Sequence, residues 1–107
     1  MIIRTETGPS LNVVHLVGRF DAHETEVFRR TVNPLLTAEA NILRLDLSQV
    51  AFVDSTALSD LVLLQKAAKA LGGEVILVQL SDPVRVILEI TDLAGIFTIE
   101  NSLAESP

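Results

Sequence analysis

Three side chains that could hold or carry a phosphate stand in a row in this sequence: Asp54, Ser55 and Thr56. An apolar run precedes them and an apolar-periodic segment begins at Leu58, which predicts that they lie at the start of a helix. The unpaired N–H groups and the positive dipole end of a helix start favour an anion. The same three residue types are also common helix caps, which need no other purpose. Two hydroxyls beside a possible cap point to a phosphate-carrying switch rather than to a catalyst.

Asp21 is the second candidate because it follows a predicted strand, Asn12–Phe20. With Glu24 it has the form of a capping box, so we predict that it caps a helix. In a parallel sheet, functional groups gather outside the carboxyl ends of the strands. We therefore expect Asp21 and Asp54 at the same edge of the sheet, with His23 close to them in sequence.

The other side chains near these two sites are interpreted more simply. His23 beside a helix start is expected to be solvated, and His15 in mid-strand is expected to contribute to packing. Ser59 and Asp60 add two polar side chains to the first turns of the helix that follows Asp54.

The sequence contains little that is typical of an enzyme active site. Ser55 lacks the glycines of a nucleophile elbow, and the chain has no glycine-rich loop that could hold a nucleotide. There are no cysteines and no cluster with metal-ligand spacing. We therefore expect a protein that is not an enzyme and that uses no metal or cofactor. A small hydrolase acting through Ser55 is the weakest alternative.

Length, composition and charge indicate one soluble domain. A chain of 107 residues with 49% hydrophobic residues can form a single core without disulfides. The net charge is −6 and the basic residues are scattered, which argues against binding to nucleic acid or to an anionic membrane. Met1–Glu6 does not have the character of a signal peptide, and the apolar run Leu61–Leu64 is far too short to cross a bilayer. We expect a cytoplasmic protein without membrane insertion; the sequence carries no prediction of its oligomeric state.

The elements that must position these residues alternate between strands and helices. One helix is predicted after Asp21, with an interruption at Pro34. A second follows the stripe Leu61, Leu64, Ala68 and Leu71 up to Gly72-Gly73. A third follows Ser81, with Asp82 as its cap. Strands are predicted at Ile2–Glu6, Asn12–Phe20, Ile42–Leu47, Val75–Val78 and Phe97–Ile99, with a turn at Gly8-Pro9-Ser10 and a loose tail over 101–107. This order predicts an α/β domain over residues 1–100, with a mixed, mostly parallel sheet of about five strands and helices packed against it.

Four motifs, in the right order and spacing, resemble those of the STAS domain family, and specifically of bacterial anti-sigma-factor antagonists. Gly18-Arg19-Phe20-Asp21 is similar to the family's Gly-x-x-Asp pattern. Asp54-Ser55-Thr56-Ala57-Leu58 resembles its Asp-Ser-[Ser/Thr]-Gly-Leu phosphorylation motif. The segments 72–74 and 92–97 are similar to family segments further along the chain. Ala57 and Ser59 depart from the pattern, because glycine is common at both positions.

The resemblance implies a partner-switching protein. Unphosphorylated members of the family bind an anti-sigma factor that is also a serine kinase, which frees the sigma factor, and a serine phosphatase restores the binding form. The implied phosphorylated residue is Ser55, with Thr56 as the alternative. The partner-binding residues expected from the motifs and their neighbours are Asp21, His23, Asp54, Ser55, Thr56 and Ser59. Some related STAS domains instead serve, without phosphorylation, as subunits of lipid-transport ATPases or of stressosome-type assemblies.

Overall fold

The computed structural model describes residues 1–8 and 11–101, in the predicted order of elements. The strands are β1 (Ile2–Thr7), β2 (Leu11–Phe20), β3 (Ile42–Val53), β4 (Glu74–Val78) and β5 (Thr98–Glu100). The helices are α1 (Thr25–Val32), α2 (Ser55–Ala70) and α3 (Asp82–Thr91), and short 3-10 helices span Asn33–Leu35 and Ala94–Ile96. Pro9 and Ser10 of the predicted turn, and residues 102–107 of the predicted tail, lie outside the described residues.

The five strands form one mixed sheet with the order β1-β2-β3-β4-β5. The β1–β2 pair is antiparallel and the other three pairs are parallel. The prediction of a mixed, mostly parallel sheet is therefore confirmed. Because the order advances in one direction across the sheet, right-handed crossovers place all three helices on the same face. We call this the inner face and the opposite one the outer face.

The hydrophobic core lies between the inner face and the helices. Alternate side chains of a strand point to opposite faces of the sheet, so Val14 and Leu16 of β2 and every second residue of β3 from Leu43 to Leu47 enter the core. Beyond Leu47 the alternation is irregular, and the buried residues of β3 are Val50 and Val53. The apolar stripe of α2 packs against them. Core side chains that are almost fully buried include Val14 and Leu16 of β2, Leu43, Leu45 and Leu47 of β3, and Leu61, Leu64 and Ala68 of α2.

Strand β4 is buried on both faces, as its apolar sequence predicts. On the outer face, Ile76 lies beside Arg44 and Val78 lies beside Glu100. Arg44 of β3 binds Glu100 of β5, and β4 runs between these two strands. The long side chains of this pair shield the apolar side chains of β4 from water.

His15 does not contribute to packing, so that prediction is wrong. Its Nδ1 lies 2.7 Å from Oδ2 of Asp46, and its Nε2 lies 2.5 Å from Oε2 of Glu6. The reason is register: His15 is directly opposite Asp46 on β3, and β1 brings Glu6 to the same outer face. Hydrogen bonds to Glu6 and then Asp46 raise the pKa of His15 above its usual value, although partial burial opposes the shift.

Two predicted helix starts are wrong in detail. Helix α1 begins at Thr25 rather than directly after Asp21, because residues 21–24 form a turn that the hydrogen bond from Glu24 N–H to Asp21 O closes at 2.9 Å. Ser81 rather than Asp82 occupies the N-cap position of α3, without a capping hydrogen bond from its side chain, and Asp82 is already helical. The predicted interruption at Pro34 is confirmed, since α1 ends at Val32 and a 3-10 helix follows.

Strand β3 is longer than predicted. It continues past Leu47 to Val53 because β2 pairs with it as far as Phe20, which lies opposite Val53. The two longest strands therefore end together, and Asp21 and Asp54 each follow the end of one of them. Across the described residues, no helix is long and apolar enough to cross a membrane.

Candidate functional site

The predicted proximity of the Asp21 and Asp54 segments is confirmed by direct hydrogen bonds. Asp54 N–H donates to Phe20 O at 3.3 Å, which extends the β2–β3 pairing by one step. Oδ2 of Asp54 accepts a hydrogen bond from Ala22 N–H at 3.0 Å. The loop after β2 is thus tied to the residue after β3. Two segments that are 32 positions apart form one surface at this edge of the sheet.

Asp54 is the residue that caps α2. Its Oδ1 accepts a hydrogen bond from Ala57 N–H at 2.9 Å, and its backbone is extended. This is the geometry of an N-cap, in which the carboxylate satisfies an N–H group that has no partner within the helix. Asp54 therefore uses both carboxylate oxygens structurally, one for the helix and one for the loop.

Ser55 and Thr56 occupy the first two helical positions and are exposed. Because Asp54 is the cap, neither hydroxyl is required for that purpose. Among the described residues, neither hydroxyl is hydrogen-bonded to another group. Both residues belong to the first turn of α2, whose N–H groups and positive dipole end would stabilise a phosphate. The arrangement offers two exposed hydroxyls at the start of a helix.

Ser59 lies one helical turn after Ser55, on the same side of α2. Its hydroxyl donates to the carbonyl oxygen of Ser55 at 2.9 Å. Both serines border an open groove of about 440 Å³ between α2 and the end of α3. Its other lining residues are mainly apolar: Leu58, Val62, Leu63, Thr91 and Leu93. The sequence stripe of α2 did not include Val62, which is partly buried at the edge of the core, or Leu63, which is exposed.

Asp60 is buried and belongs to the contact between α1 and α2 rather than to the exposed site. Its Oδ1 lies 3.7 Å from the guanidinium of Arg29. Its Oδ2 makes no hydrogen bond within the described residues. Although Asp60 carries a polar side chain, it is therefore not a surface residue.

Asp21 is not a helix cap but organises its own loop. Its Oδ1 accepts a hydrogen bond from His23 N–H at 3.1 Å, two residues further on. Such a turn is typical of aspartate side chains. Its Oδ2 lies 3.7 Å from Nε of Arg19. The carboxylate remains partly exposed, and the structure brings it to the same edge as Asp54 and Ser55.

The two histidines differ in what they could do. His23 is exposed on the loop beside Asp21, as expected. His15 lies on the outer face of the sheet with both ring nitrogens bound to carboxylates, so it is not available as a base for Ser55. Within residues 1–8 and 11–101, no group of three or more His, Asp or Glu side chains is arranged to hold a metal ion.

Comparison with known proteins places this geometry in a family. The model of the STAS domain matches residues 3–106 of the chain. The anti-sigma-B factor antagonist of Listeria monocytogenes is 31% identical over 88 residues, which cover 82% of this chain and 77% of the relative.

Solved structures share the fold at lower identity. An anti-sigma factor antagonist from Mycobacterium paratuberculosis superimposes with a TM-score of 0.83 and 20% identity, over 95% of this chain and 86% of that one. The Bacillus cell fate determinant SpoIIAA in its phosphorylated form has a TM-score of 0.76 and 18% identity, over 95% and 93% of the two chains. With nearly the whole chain matched by the family model, this protein belongs to the STAS domain family.

Proposed function

We propose that this chain is an anti-sigma-factor antagonist whose binding is switched by phosphorylation of Ser55. The unphosphorylated form binds an anti-sigma factor that is also a serine kinase, and the sigma factor is thereby freed. The kinase then phosphorylates Ser55, which ends binding, and a serine phosphatase restores the binding form. The name of the Listeria relative supports the class of partner, and the phosphorylated form of SpoIIAA supports the switch.

The observation that carries the proposal is that Asp54 and Ser55 have separate roles at the start of α2. Asp54 caps α2, so the exposed hydroxyl of Ser55 has no structural duty. A kinase needs a hydroxyl that can enter its active site without unfolding the segment that bears it. Ser55 meets this requirement, and the helix start beside it favours the phosphate that would be formed. Thr56 is exposed in the same way and is the alternative acceptor.

Local charge explains how phosphorylation would end binding without unfolding the domain. A phosphoserine carries a charge of about −1.5 to −2. The helix start offsets it by about 0.3–1 kcal/mol, whereas repulsion from Asp54 or Asp21 across solvent is about 1 kcal/mol. These terms nearly cancel in the isolated protein. In a desolvated interface, an unpaired charge of the same sign costs several kcal/mol, about a hundredfold or more in affinity.

Asp21 is proposed to contact the partner directly. Its carboxylate is partly exposed beside the phosphorylation site, where it can receive a charge-assisted hydrogen bond from a basic group of the kinase. His23, Thr56 and Ser59 are exposed around it and complete the proposed contact surface.

We expect Asp21→Ala to weaken phosphorylation or partner binding more than it lowers thermal stability. A large loss of stability with unchanged binding of the folded fraction would restrict Asp21 to a role in its loop.

The deciding experiment combines the purified chain with anti-sigma-factor kinases of its source organism and Mg-ATP. Phosphate is located by mass spectrometry, and affinity is measured before and after the reaction. Ser55→Ala should bind the kinase and stay bound in the presence of ATP. Thr5→Ala is the control, since it removes an exposed hydroxyl of β1 that lies outside the proposed contact surface, and it should be phosphorylated like the parent protein.

Two results would change the proposal. Equal phosphorylation of Ser55→Ala would move the acceptor to Thr56. Absence of phosphate, with binding that ATP does not alter, would favour a constitutive STAS subunit of a lipid-transport ATPase or a stressosome-type assembly. The proposed function also implies a cytoplasmic protein that is a binding module rather than an enzyme, because sigma factors act where transcription takes place.

A further inference from the structure

Arg19 and Phe52 form an exposed pair on the outer face of the sheet. They lie opposite each other on β2 and β3, one residue before the ends of the two strands. Their neighbours Phe20 and Val53 are buried in the core, so Arg19 and Phe52 point the other way. The side chain of Arg19 is 64% exposed, and Phe52 is 38% exposed although it is a large apolar residue.

The guanidinium of Arg19 is held in place but makes no hydrogen bond within the part of the chain that the structure describes. Its central carbon lies 4.2 Å from the centroid of the Phe52 ring. Asp21 approaches Nε from one side at 3.7 Å, which is too long for a hydrogen bond. A stacked guanidinium with unused N–H donors is pre-organised for a planar, bidentate acceptor. Little additional ordering is needed when such an acceptor arrives.

This pair is continuous with the proposed phosphorylation site. Asp21 belongs to both surfaces, and Phe52 precedes the cap residue Asp54 by two positions. A partner that covers Ser55 and Asp21 would reach Arg19 and Phe52 by extending over the ends of β2 and β3. Arginine often contributes much of the binding energy at protein interfaces, and phenylalanine is enriched there.

Charge identifies what this surface would bind. The guanidinium of Arg19 is a cation in a chain of net charge −6, and Asp21, at 3.7 Å from Nε, does not use its N–H donors in a hydrogen bond. We propose that Arg19 and Phe52 form a second docking surface, which binds an Asp or Glu carboxylate and an adjacent apolar side chain of the anti-sigma factor. The inference rests on the proposed function, because the partner is the protein that faces Ser55. In this arrangement, Ser55 controls release, whereas Arg19 and Phe52 supply affinity and partner choice.

The test measures the affinity of single variants for the purified anti-sigma-factor kinase of the source organism. Arg19→Ala and Phe52→Ala should each lower the affinity about tenfold or more. Arg19→Lys should not restore it, because lysine has no planar fork to stack and bind bidentately. The affinity of the parent protein should fall with added salt, and that of Arg19→Ala should fall less.

Matched controls lie elsewhere on the surface. Arg30→Ala removes an arginine of α1 whose side chain is 70% exposed, and Val86→Ala trims an apolar residue of α3 that is 50% exposed. Both should bind within about twofold of the parent protein. Circular dichroism and the urea midpoint verify that each variant is folded.

The outcomes separate this inference from the proposed function. If Arg19→Ala and Phe52→Ala bind like the parent protein while phosphorylation of Ser55 still abolishes binding, the second docking surface is wrong and the proposed function stands. If the unmodified protein does not bind any of the kinases, both are wrong. Loss of affinity in the two variants, together with unchanged phosphorylation sensitivity of what binding remains, supports both.

Discussion

At the scale of single residues, Asp54 joins the structural and functional parts of the candidate site. One carboxylate oxygen caps α2 through Ala57 N–H, and the other holds the loop after β2 through Ala22 N–H. The neighbouring Ser55 hydroxyl takes no part in either contact. Adjacent residues in the sequence therefore have separate roles, since one fixes the geometry and the other is exposed for modification.

Asp54→Ala should lower the free energy of unfolding by about 2 kcal/mol, because it removes a helix cap and a second hydrogen bond to the backbone. Ser55→Ala should change it by no more than about 0.5 kcal/mol, as expected for an exposed side chain without partners. Urea denaturation of both variants gives the comparison. A loss of stability in Ser55→Ala equal to that in Asp54→Ala would show that the serine hydroxyl is also structural.

At the scale of elements, α2 is attached to the sheet at both ends. Its start is tied to β2 and β3 through Asp54. Further along, the buried side chain of Gln65 accepts a hydrogen bond from Val75 N–H at 2.6 Å and donates to Ile96 O at 2.9 Å. At the helix end, Gly72 has a φ of +85° and Gly73 N–H returns to Ala68 O at 2.9 Å. These contacts make α2 a rigid base for Ser55.

The close approach at the end of α2 predicts that any side chain at Gly73 destabilises the protein. A Cβ atom on Gly73 would lie 1.9 Å from the carbonyl oxygen of Asn41, which belongs to the backbone and cannot rotate away. Gly73→Ala should therefore lower the free energy of unfolding by about 1–3 kcal/mol, as overpacking does. Gly95→Ala is the control, because a Cβ there has no neighbour within 4 Å. Similar urea midpoints for the two variants would contradict the prediction.

At the scale of the whole molecule, the two faces of the sheet are covered by different means. The inner face carries the three helices and the core. The outer face carries ion pairs between strands, including Glu6, His15 and Asp46 from β1, β2 and β3. Burial favours the neutral form of Asp46, but hydrogen bonds from Ser48 and His15 outweigh it and lower the pKa of Asp46. The free energy of unfolding should therefore depend on pH through His15 and Asp46 of the outer face.

The sign of this dependence follows from the direction of each shift. The raised pKa of His15 means that its contribution is complete below about pH 6.5 and is lost as the pH rises through the folded-state pKa. The lowered pKa of Asp46 means that its contribution is present above the usual pKa and is lost as the pH falls through the folded-state value. The network should therefore stabilise the protein most between about pH 4 and 6.5.

The His15→Gln variant tests this dependence. Urea midpoints measured from pH 5 to 9 should decline on the alkaline side for the parent protein and decline less for His15→Gln. His23→Gln removes the other histidine, which is exposed on a loop, and should keep the parental profile. Identical profiles for the parent protein and His15→Gln would exclude the His15 network as the source. The groups that face His15 are Glu6 and Asp46, with Arg4 opposite it on β1.

Phosphorylation should leave the architecture of the whole molecule unchanged. The charge terms at Ser55 nearly cancel, and a domain of this size is stable by about 5–15 kcal/mol. Amide NMR spectra of the phosphorylated and unmodified proteins should differ only near Ser55 and Asp21, while partner affinity is lost. Changes that spread through β4 and α3 would instead indicate a conformational switch.

Much of the fold could be predicted from the sequence because its signals are local. The Val- and Leu-rich run of β2, the stripe of α2 and the glycines at its end each depend on neighbours within a few residues. The alternation of strands and helices also predicted that Asp21 and Asp54 meet at one edge, which the hydrogen bond from Ala22 to Asp54 confirms. The family followed from motifs in the same local segments, and the family model matches residues 3–106.

What only the tertiary structure decided are the roles that depend on distant partners. From the sequence, Asp21 and Asp54 looked alike as helix caps, yet only Asp54 caps a helix, because the loop after β2 folds into a turn that Asp54 itself holds. His15 joins two carboxylates, and Arg19 stacks on Phe52, because strand register places these side chains opposite each other. In the β2–β3 pair, His15 and Asp46 are 31 positions apart, so their contact depends on how the two strands dock and not on neighbouring residues. The sequence alone determined the order of the elements and the edge at which the site forms, whereas the contacts of each side chain depend on how the strands and helices pack.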